Sequence, residues 1–144
     1  MANPIRRSLS DFARRMRSLR VDHGVSAAKL SVLGRLLRAD GPLTATDLAA
    51  LERLQPQSLT RIIADLDELG FITRRQGERD RRQIEIEITA AGSELIRRDA
   101  HRQNLWLAQA MTERLTPAER AMLRLAAELL DRLAEQPAEP ISES

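Results

Sequence analysis

The side chains best suited to chemistry in this sequence lie along one face of a short helical segment. At about 100° per residue, Gln57, Arg61 and Ala64 point the same way, and Ser58 and Thr60 flank them. Such a face can enter a DNA major groove, because Arg pairs with guanine, Gln pairs with adenine, and a methyl group contacts thymine. An ordinary solvated helix surface has a similar composition. The neighbouring segments are needed to distinguish a DNA-reading face from such a surface.

The segment before this face predicts a first helix and a tight turn. Thr44 and Asp47 have the spacing of a capping box, in which each side chain bonds a backbone N–H of the other residue. Leu48 and Leu51 are expected to give this helix an inward face. Residues 53–55 then turn the chain.

The second helix carries the polar face. Pro56 suits its first position, where no backbone N–H is needed, and Gly70 is expected to end it. Five apolar residues recur at helical spacing on the side away from the polar face and predict a buried stripe: Leu59, Ile62, Ile63, Leu66 and Leu69.

A β-hairpin with a basic tip is expected next. Residues 71–76 predict one strand, and residues 83–88 predict another, because isoleucines alternate there with Gln and Glu. Residues 77–82 form the connecting tip. Leu43 is expected to add a short third strand beside the hairpin. A hairpin with an arginine-bearing tip beside a helix-turn-helix is a winged helix.

Three motifs in this region resemble the MarR family of bacterial transcriptional regulators: Leu-x-x-Leu-Gly-Phe-Ile at 66–72, Asp-Arg-Arg at 80–82, and Ile-Thr-Ala-Ala-Gly at 88–92. The resemblance implies that Arg82 enters the DNA minor groove and that Asp80 positions it, because a carboxylate can orient a guanidinium and narrow grooves attract Arg. A surface ion pair of little energetic value is the alternative. The other basic residues of the hairpin are expected to bind phosphates: Arg74, Arg75, Arg79 and Arg81.

Helices are predicted on both sides of the winged helix. Apolar residues between positions 5 and 20 follow a four-three spacing that is typical of a helix–helix seam, and this helix is either a core helix or half of a dimer interface. Ser26 is expected to cap a helix that runs to about Arg38, with Leu30, Leu33, Leu36 and Leu37 inward. Thr89 is expected to cap a long helix from about residue 90 to 114. Thr116, Pro117 and Glu119 then predict the start of a last helix.

The whole chain predicts a mainly α fold (α+β) of one domain over residues 1–144. Its parts are a winged helix-turn-helix lobe at 22–89 with a small hairpin wing, N- and C-terminal helices at 4–21 and 90–136 that form a dimerisation lobe, and a flexible tail at 137–144. The resemblance implies that the first, fifth and sixth helices interlock as a homodimer. Paired recognition helices about 34 Å apart would then meet successive major grooves of one duplex.

Composition excludes several other classes. The 144 residues contain no Cys, which excludes disulfides and thiolate metal sites. They also contain no signal peptide and no long apolar run, so we expect a cytoplasmic protein without membrane contact. Net charge is only +2, but five Arg lie within residues 71–82, as a phosphate-binding patch requires. The chain has two His and no Tyr, and we find no catalytic, cofactor or metal motif. We therefore expect no enzyme.

Two functions remain open at this stage. The first is a sequence-specific regulator that binds a double-stranded DNA operator, works as a homodimeric repressor, and is relieved by a small aromatic or anionic effector, as the resemblance implies. The residues best suited to contact such an effector are Phe12, His23, His101 and Trp106, although Trp106 also fits a role in helix packing. The second is a winged-helix protein–protein interaction module without specific DNA binding.

Overall fold

The computed structural model describes residues 1–20 and 23–136. The predicted tail at 137–144 and the residues at the start of the predicted lobe, 21–22, lie outside this part. The described chain forms helices α1 (Ala2–Ser18), α2 (Ala27–Arg38), α3 (Ala45–Glu52), α4 (Pro56–Glu68), α5 (Ala90–Arg114) and α6 (Pro117–Ala134), and strands β1 (Leu43–Thr44), β2 (Ile72–Gln76) and β3 (Ile84–Ile88). It divides into two compact units, Met1–Gln103 and Asn104–Ser144.

The helix-turn-helix of the first unit begins at the predicted capping box. The Thr44 hydroxyl accepts from the Asp47 N–H at 3.1 Å, and the Asp47 carboxylate accepts from the Thr44 N–H at 3.1 Å. The turn after α3 is closed by Arg53, whose φ of 52° lies in the left-handed region. Pro56 occupies the first turn of α4, as predicted, and Gly70 follows α4 with a φ of 79°.

The core of the first unit lies between α2, α3, α4 and the sheet. Its buried apolar residues are Val32, Leu33, Leu36, Leu48, Leu59, Ile63, Leu66, Ile72 and Ile86. Ser26 caps α2 by accepting from the Lys29 N–H at 3.3 Å, and Leu30 is also buried. Leu37 is only half-buried.

Two leucines were wrongly expected to face inward. Leu51 is 46% exposed and Leu69 is 52% exposed. Leu51 lies in the last turn of a helix of only eight residues, in which Leu48 is the buried residue and Ala49 packs partly against the core. Leu69 is the residue after α4, and the left-handed Gly70 then leads the chain into β2. Helical spacing therefore overestimated the inward face at both helix ends.

The three strands form one antiparallel sheet in the order β1-β3-β2. Leu43 pairs with Ile86, so the expected third strand is present, and Arg75 lies opposite Glu85 across the hairpin. Of the alternating isoleucines, Ile86 is buried and Ile88 half-buried, whereas Ile84 is exposed. The hairpin therefore extends beyond the core at its tip, and the alternation of isoleucines does not give a buried residue there.

A tight joint, made by Gly70, Phe71, Thr89 and Gly92, connects the wing to the start of α5. The Thr89 hydroxyl donates to the Gly70 carbonyl at 2.7 Å and accepts from the Gly92 N–H at 3.2 Å. The Thr89 N–H donates to the Phe71 carbonyl at 3.0 Å. Thr89 thus caps α5, as predicted, and also ties it to the chain between α4 and β2.

Helix α1, in the first unit, and helix α6, in the second, contain no buried residue. Helix α1 begins three residues earlier than predicted and ends at Ser18. Helix α6 begins with the predicted capping box, in which Thr116 accepts from the Glu119 N–H and Glu119 accepts from the Thr116 N–H. No helix in the described ranges is long and apolar enough to cross a membrane.

Candidate nucleic-acid interface

The polar face of α4 is exposed over its whole length. Gln57, Ser58, Thr60 and Arg61 are all exposed, as is Ala64. Three residues of the opposite face, Leu59, Ile63 and Leu66, anchor the helix in the core. The Arg61 guanidinium forms no ion pair with any described residue. It can therefore reach a guanine edge without first breaking an intramolecular contact.

The first turn of α4 offers a second means of contact with DNA. The side chain of the N-cap residue, Gln55, makes no capping hydrogen bond, so the N–H groups of the first turn have no side-chain acceptor there. Phosphate oxygens bind well at such helix N-termini. The Thr60 hydroxyl donates to the Pro56 carbonyl at 2.8 Å, which leaves its methyl group and both oxygen lone pairs for a base edge.

The wing tip is a closed loop that presents three arginines. The Gly77 N–H donates to the Gln83 carbonyl at 2.8 Å, and a Cβ on Gly77 would lie 2.7 Å from the Asp80 carbonyl oxygen, so the loop has no room for a side chain there. The exposed arginines of the tip are Arg79, Arg81 and Arg82. None of them forms an ion pair within the described part of the chain.

Asp80 acts on the backbone of the tip. Its carboxylate accepts from the Arg82 N–H at 3.0 Å. Among the described residues the Asp80 carboxylate forms no ion pair with the Arg82 guanidinium, so direct orientation of the guanidinium by Asp80 stays a prediction. An Asp that bonds a backbone N–H two residues on forms a local turn, and this turn sets the direction in which Arg82 leaves the loop.

The remaining two wing arginines are held by carboxylates at the base of the hairpin. Arg74 contacts Asp67 of α4 at 2.7 Å. Arg75 contacts Glu85 at 3.2 Å and Glu87 at 3.1 Å, both on β3. The structure therefore separates the five arginines, which the sequence grouped as one basic patch, into two paired and three unpaired side chains.

The four residues suggested for an effector do not form one site in the first unit. Phe12 and His101 are exposed, Trp106 is half-buried in the second unit, and His23 is the most enclosed of the first unit's three. The His23 Nδ1 accepts from the Val25 N–H at 3.2 Å. Its Nε2 faces a carboxylate oxygen of an acidic residue at 3.6 Å.

That acidic residue is Asp99, which the sequence analysis missed. Its side chain is only 8% exposed, and Arg20 lies 3.4 Å from its second oxygen. The Asp99 Oδ1, His23 Nε2 and Arg20 Nε atoms are buried and have no hydrogen-bond partner in the described structure. Helical spacing could have indicated its burial, because Asp99 lies four positions after Leu95 and three after Ile96, which pack against the core from α5.

A cavity of about 260 Å³ adjoins this cluster within the first unit. Its polar lining comes from Arg20, Ser31, Arg38, Asp99 and Gln103, and its apolar lining includes Leu30 and Ile96. None of Phe12, His23, His101 and Trp106 lines it. Two guanidinium groups and one amide on a mostly polar lining can bind a small anion, although Arg20 already lies beside the Asp99 carboxylate in the same lining.

The fold and sequence are similar to those of known transcriptional regulators. The MarR family model matches residues 23–83. An HTH-type transcriptional regulator of Mycobacterium tuberculosis is 32% identical over 136 residues, which cover 94% of each chain, and one of Mycobacterium leprae is 31% identical over the same share.

Solved structures agree in fold. A transcriptional regulator protein of Pseudomonas aeruginosa superposes with a TM-score of 0.76 at 27% identity, covering 94% of each chain. A mutant of MarR from E. coli superposes with a TM-score of 0.77 at 21% identity, covering 90% of this chain and 95% of that one. The resemblance and the fold class proposed from the sequence are thus confirmed. The chain belongs to the MarR family of winged helix-turn-helix transcriptional regulators, which bind DNA and are not enzymes.

Proposed function

We propose that this protein is a homodimeric repressor that binds one DNA operator sequence-specifically and leaves it when a small effector binds. The observation that carries the proposal is the exposed α4 face beside a wing tip with three unpaired arginines. In this arrangement Gln57, Ser58, Thr60 and Arg61 contact base edges in the major groove. Arg82 enters the adjacent minor groove, and Arg79 and Arg81 neutralise phosphates.

Dimerisation is supported by the apolar faces of α1 and α6. Ile5, Leu9 and Phe12 are exposed along α1. Helix α6, considered by itself, exposes Met122, Leu125, Leu129 and Leu133, which recur every three or four residues. Contiguous exposed apolar faces of this kind mark association surfaces in soluble proteins. A two-fold dimer presents two recognition helices to successive major grooves, and a repressor of this geometry blocks the promoter that it covers.

Release by an effector is supported by the cavity beside Asp99. A small carboxylic or phenolic acid would bring a negative charge to Arg20 and Arg38 at its edge. The cavity is lined by α2, which packs against the winged-helix core, and by α5. A ligand that favours the conformation incompatible with DNA by about 1–3 kcal/mol would weaken operator binding roughly 5–150-fold. Because its target is chromosomal DNA, the protein is expected to act in the cytoplasm.

Selection of duplex DNA by the purified wild-type protein tests the proposal. We expect one family of related sequences, with two half-sites about one helical turn apart, and a loss of affinity with rising salt. Arg61→Ala should relax the preference at one base position in each half-site, whereas a phosphate contact would lose affinity equally for all sequences. If no sequence is enriched and binding is salt-independent, the protein is instead an interaction module without specific DNA binding.

A further inference from the structure

The two paired arginines at the base of the wing do different work from those at its tip. The Arg74 Nε and Nη2 donate to the same carboxylate oxygen of Asp67, Oδ2, at 3.0 and 2.7 Å. Asp67 lies in the last turn of α4, and Arg74 lies on β2. This contact joins the helix that carries the base-reading face directly to the hairpin that carries the wing tip.

Arg75 joins the two strands of the hairpin. It lies directly opposite Glu85 in the sheet register, and its Nε donates to the Glu85 carboxylate at 3.2 Å. Its second nitrogen, Nη2, lies 3.1 Å from the carboxylate of Glu87. Opposite charges paired across neighbouring strands stabilise a hairpin and hold its twist.

We propose that Arg74 and Arg75 are positioning residues, and that the Asp67–Arg74 pair sets the angle between α4 and the wing. This inference rests on the proposed DNA-binding function and reassigns two arginines that the sequence analysis placed on phosphates. Only Arg79, Arg81 and Arg82 then meet DNA from the wing. The pair allows Arg82 to reach the minor groove while α4 occupies the neighbouring major groove.

The length of the wing makes this angle matter. At about 3.3 Å per residue, the six residues from Arg74 to Asp80 place the tip up to roughly 20 Å from the ion pair. Arg82 lies four residues before Ile86, the residue opposite Arg74, so its backbone is up to roughly 13 Å from the ion pair. A rotation of about 10° at the base would therefore move Arg82 by about 2 Å, which is enough to break a hydrogen bond. An exposed ion pair contributes little to folding stability, so its loss should appear in DNA binding and not in unfolding.

Asp67→Asn distinguishes a positioning role of Arg74 from a phosphate contact, because the two roles predict opposite changes in operator affinity. Asp67→Asn removes a negative charge near DNA, and the phosphate-contact model predicts equal or tighter operator binding because Arg74 is freed. The positioning model predicts about five- to tenfold weaker binding, because a specific contact at the tip is lost. Glu68→Gln is the matched control. It removes the same charge at the next residue, which is exposed and has no ion pair with a described residue, and binding should stay equal or become tighter.

Two further measurements use the duplex selected by the wild-type protein. In footprints, Arg74→Gln should lose the hydroxyl-radical protection of the minor groove given by the wing and keep the protection of guanine N7 from methylation given by α4 in the major groove. The charge swap Asp67→Arg with Arg74→Asp should recover part of the affinity, because the ion pair is restored with reversed sign.

The outcomes distinguish this inference from the function on which it rests. If the wild-type protein selects no DNA, the proposed function fails. If the wild-type protein binds its selected duplex and Asp67→Asn binds as tightly or more tightly, the positioning role is wrong. It is equally wrong if Arg74→Gln keeps the minor-groove protection given by the wing.

Discussion

Gly92 offers the sharpest test of the packing described here, because one added methyl group has a calculable consequence. A Cβ at this position would lie 2.4 Å from the Phe71 carbonyl oxygen and 2.8 Å from the Ile88 Cγ1. The Phe71 carbonyl cannot move away freely, since it accepts the Thr89 N–H at 3.0 Å. Gly92→Ala must therefore shift the backbone at the joint between the wing and α5.

The expected magnitude follows from two opposing effects. Overpacking a filled site costs about 1–3 kcal/mol. Replacing Gly by Ala in a helix contributes up to about 1 kcal/mol in the other direction. We expect a net destabilisation of about 1–2 kcal/mol, which for a chain of this length lowers Tm by roughly 3–8 °C.

Gly34 is the matched control in a second helix. A Cβ added at Gly34 would lie 3.2 Å from its nearest atom, the Arg38 Nη1. This atom is the far end of a flexible side chain that can rotate away. Gly34→Ala should therefore stabilise the protein by about 0.5–1 kcal/mol. Thermal and urea unfolding at one fixed protein concentration measure both variants. If Gly92→Ala raises Tm as Gly34→Ala does, the close contact at the joint does not exist.

Three further predictions concern function, assembly and pH. Arg82→Ala should weaken operator binding strongly in a titration while circular dichroism stays that of the wild type; unchanged affinity would contradict the assignment of the wing tip. Leu129→Glu should convert the dimer into monomers in sedimentation, whereas Glu128→Gln, the preceding polar residue, should leave the dimer intact. The backbone N–H and hydroxyl of Thr116 both donate to Glu119 and hold its pKa below the ordinary value of 4.5. Glu119 therefore stabilises the helix at pH values above 4.5, and this stabilisation is lost as the pH falls through the lowered pKa. Acid unfolding of Glu119→Gln should show less pH dependence than that of the wild type.

Interactions that close within a few residues were predicted from the sequence. Both capping boxes, Thr44 with Asp47 and Thr116 with Glu119, lie at their predicted positions. The same holds for the cap at Ser26 and for the proline at the start of α4. In each of the three caps the donor and the acceptor are three residues apart, and the proline acts at its own position, so these features depend on local sequence alone.

Ion pairs between separate elements were not predicted. The sequence shows five wing arginines as equivalent, whereas contacts with Asp67, Glu85 and Glu87 distinguish Arg74 and Arg75 from the others. Helical spacing placed Leu51 and Leu69 inside, although both are exposed among the described residues. Periodicity indicates the direction of a side chain, but burial depends on what lies in that direction.

The sequence by itself determined the element order, the helix starts, the basic hairpin and hence the winged helix, because caps, turns and alternation act over a few residues. Tertiary structure alone decided which wing arginines form ion pairs within the described residues, how Asp80 bonds the backbone of the wing tip, and that Asp99 is buried beside Arg20 and His23. Asp99 lies 79 positions after Arg20 and 76 after His23 in the chain. Only the packing of α5 against the earlier part of the first unit brings their charges together.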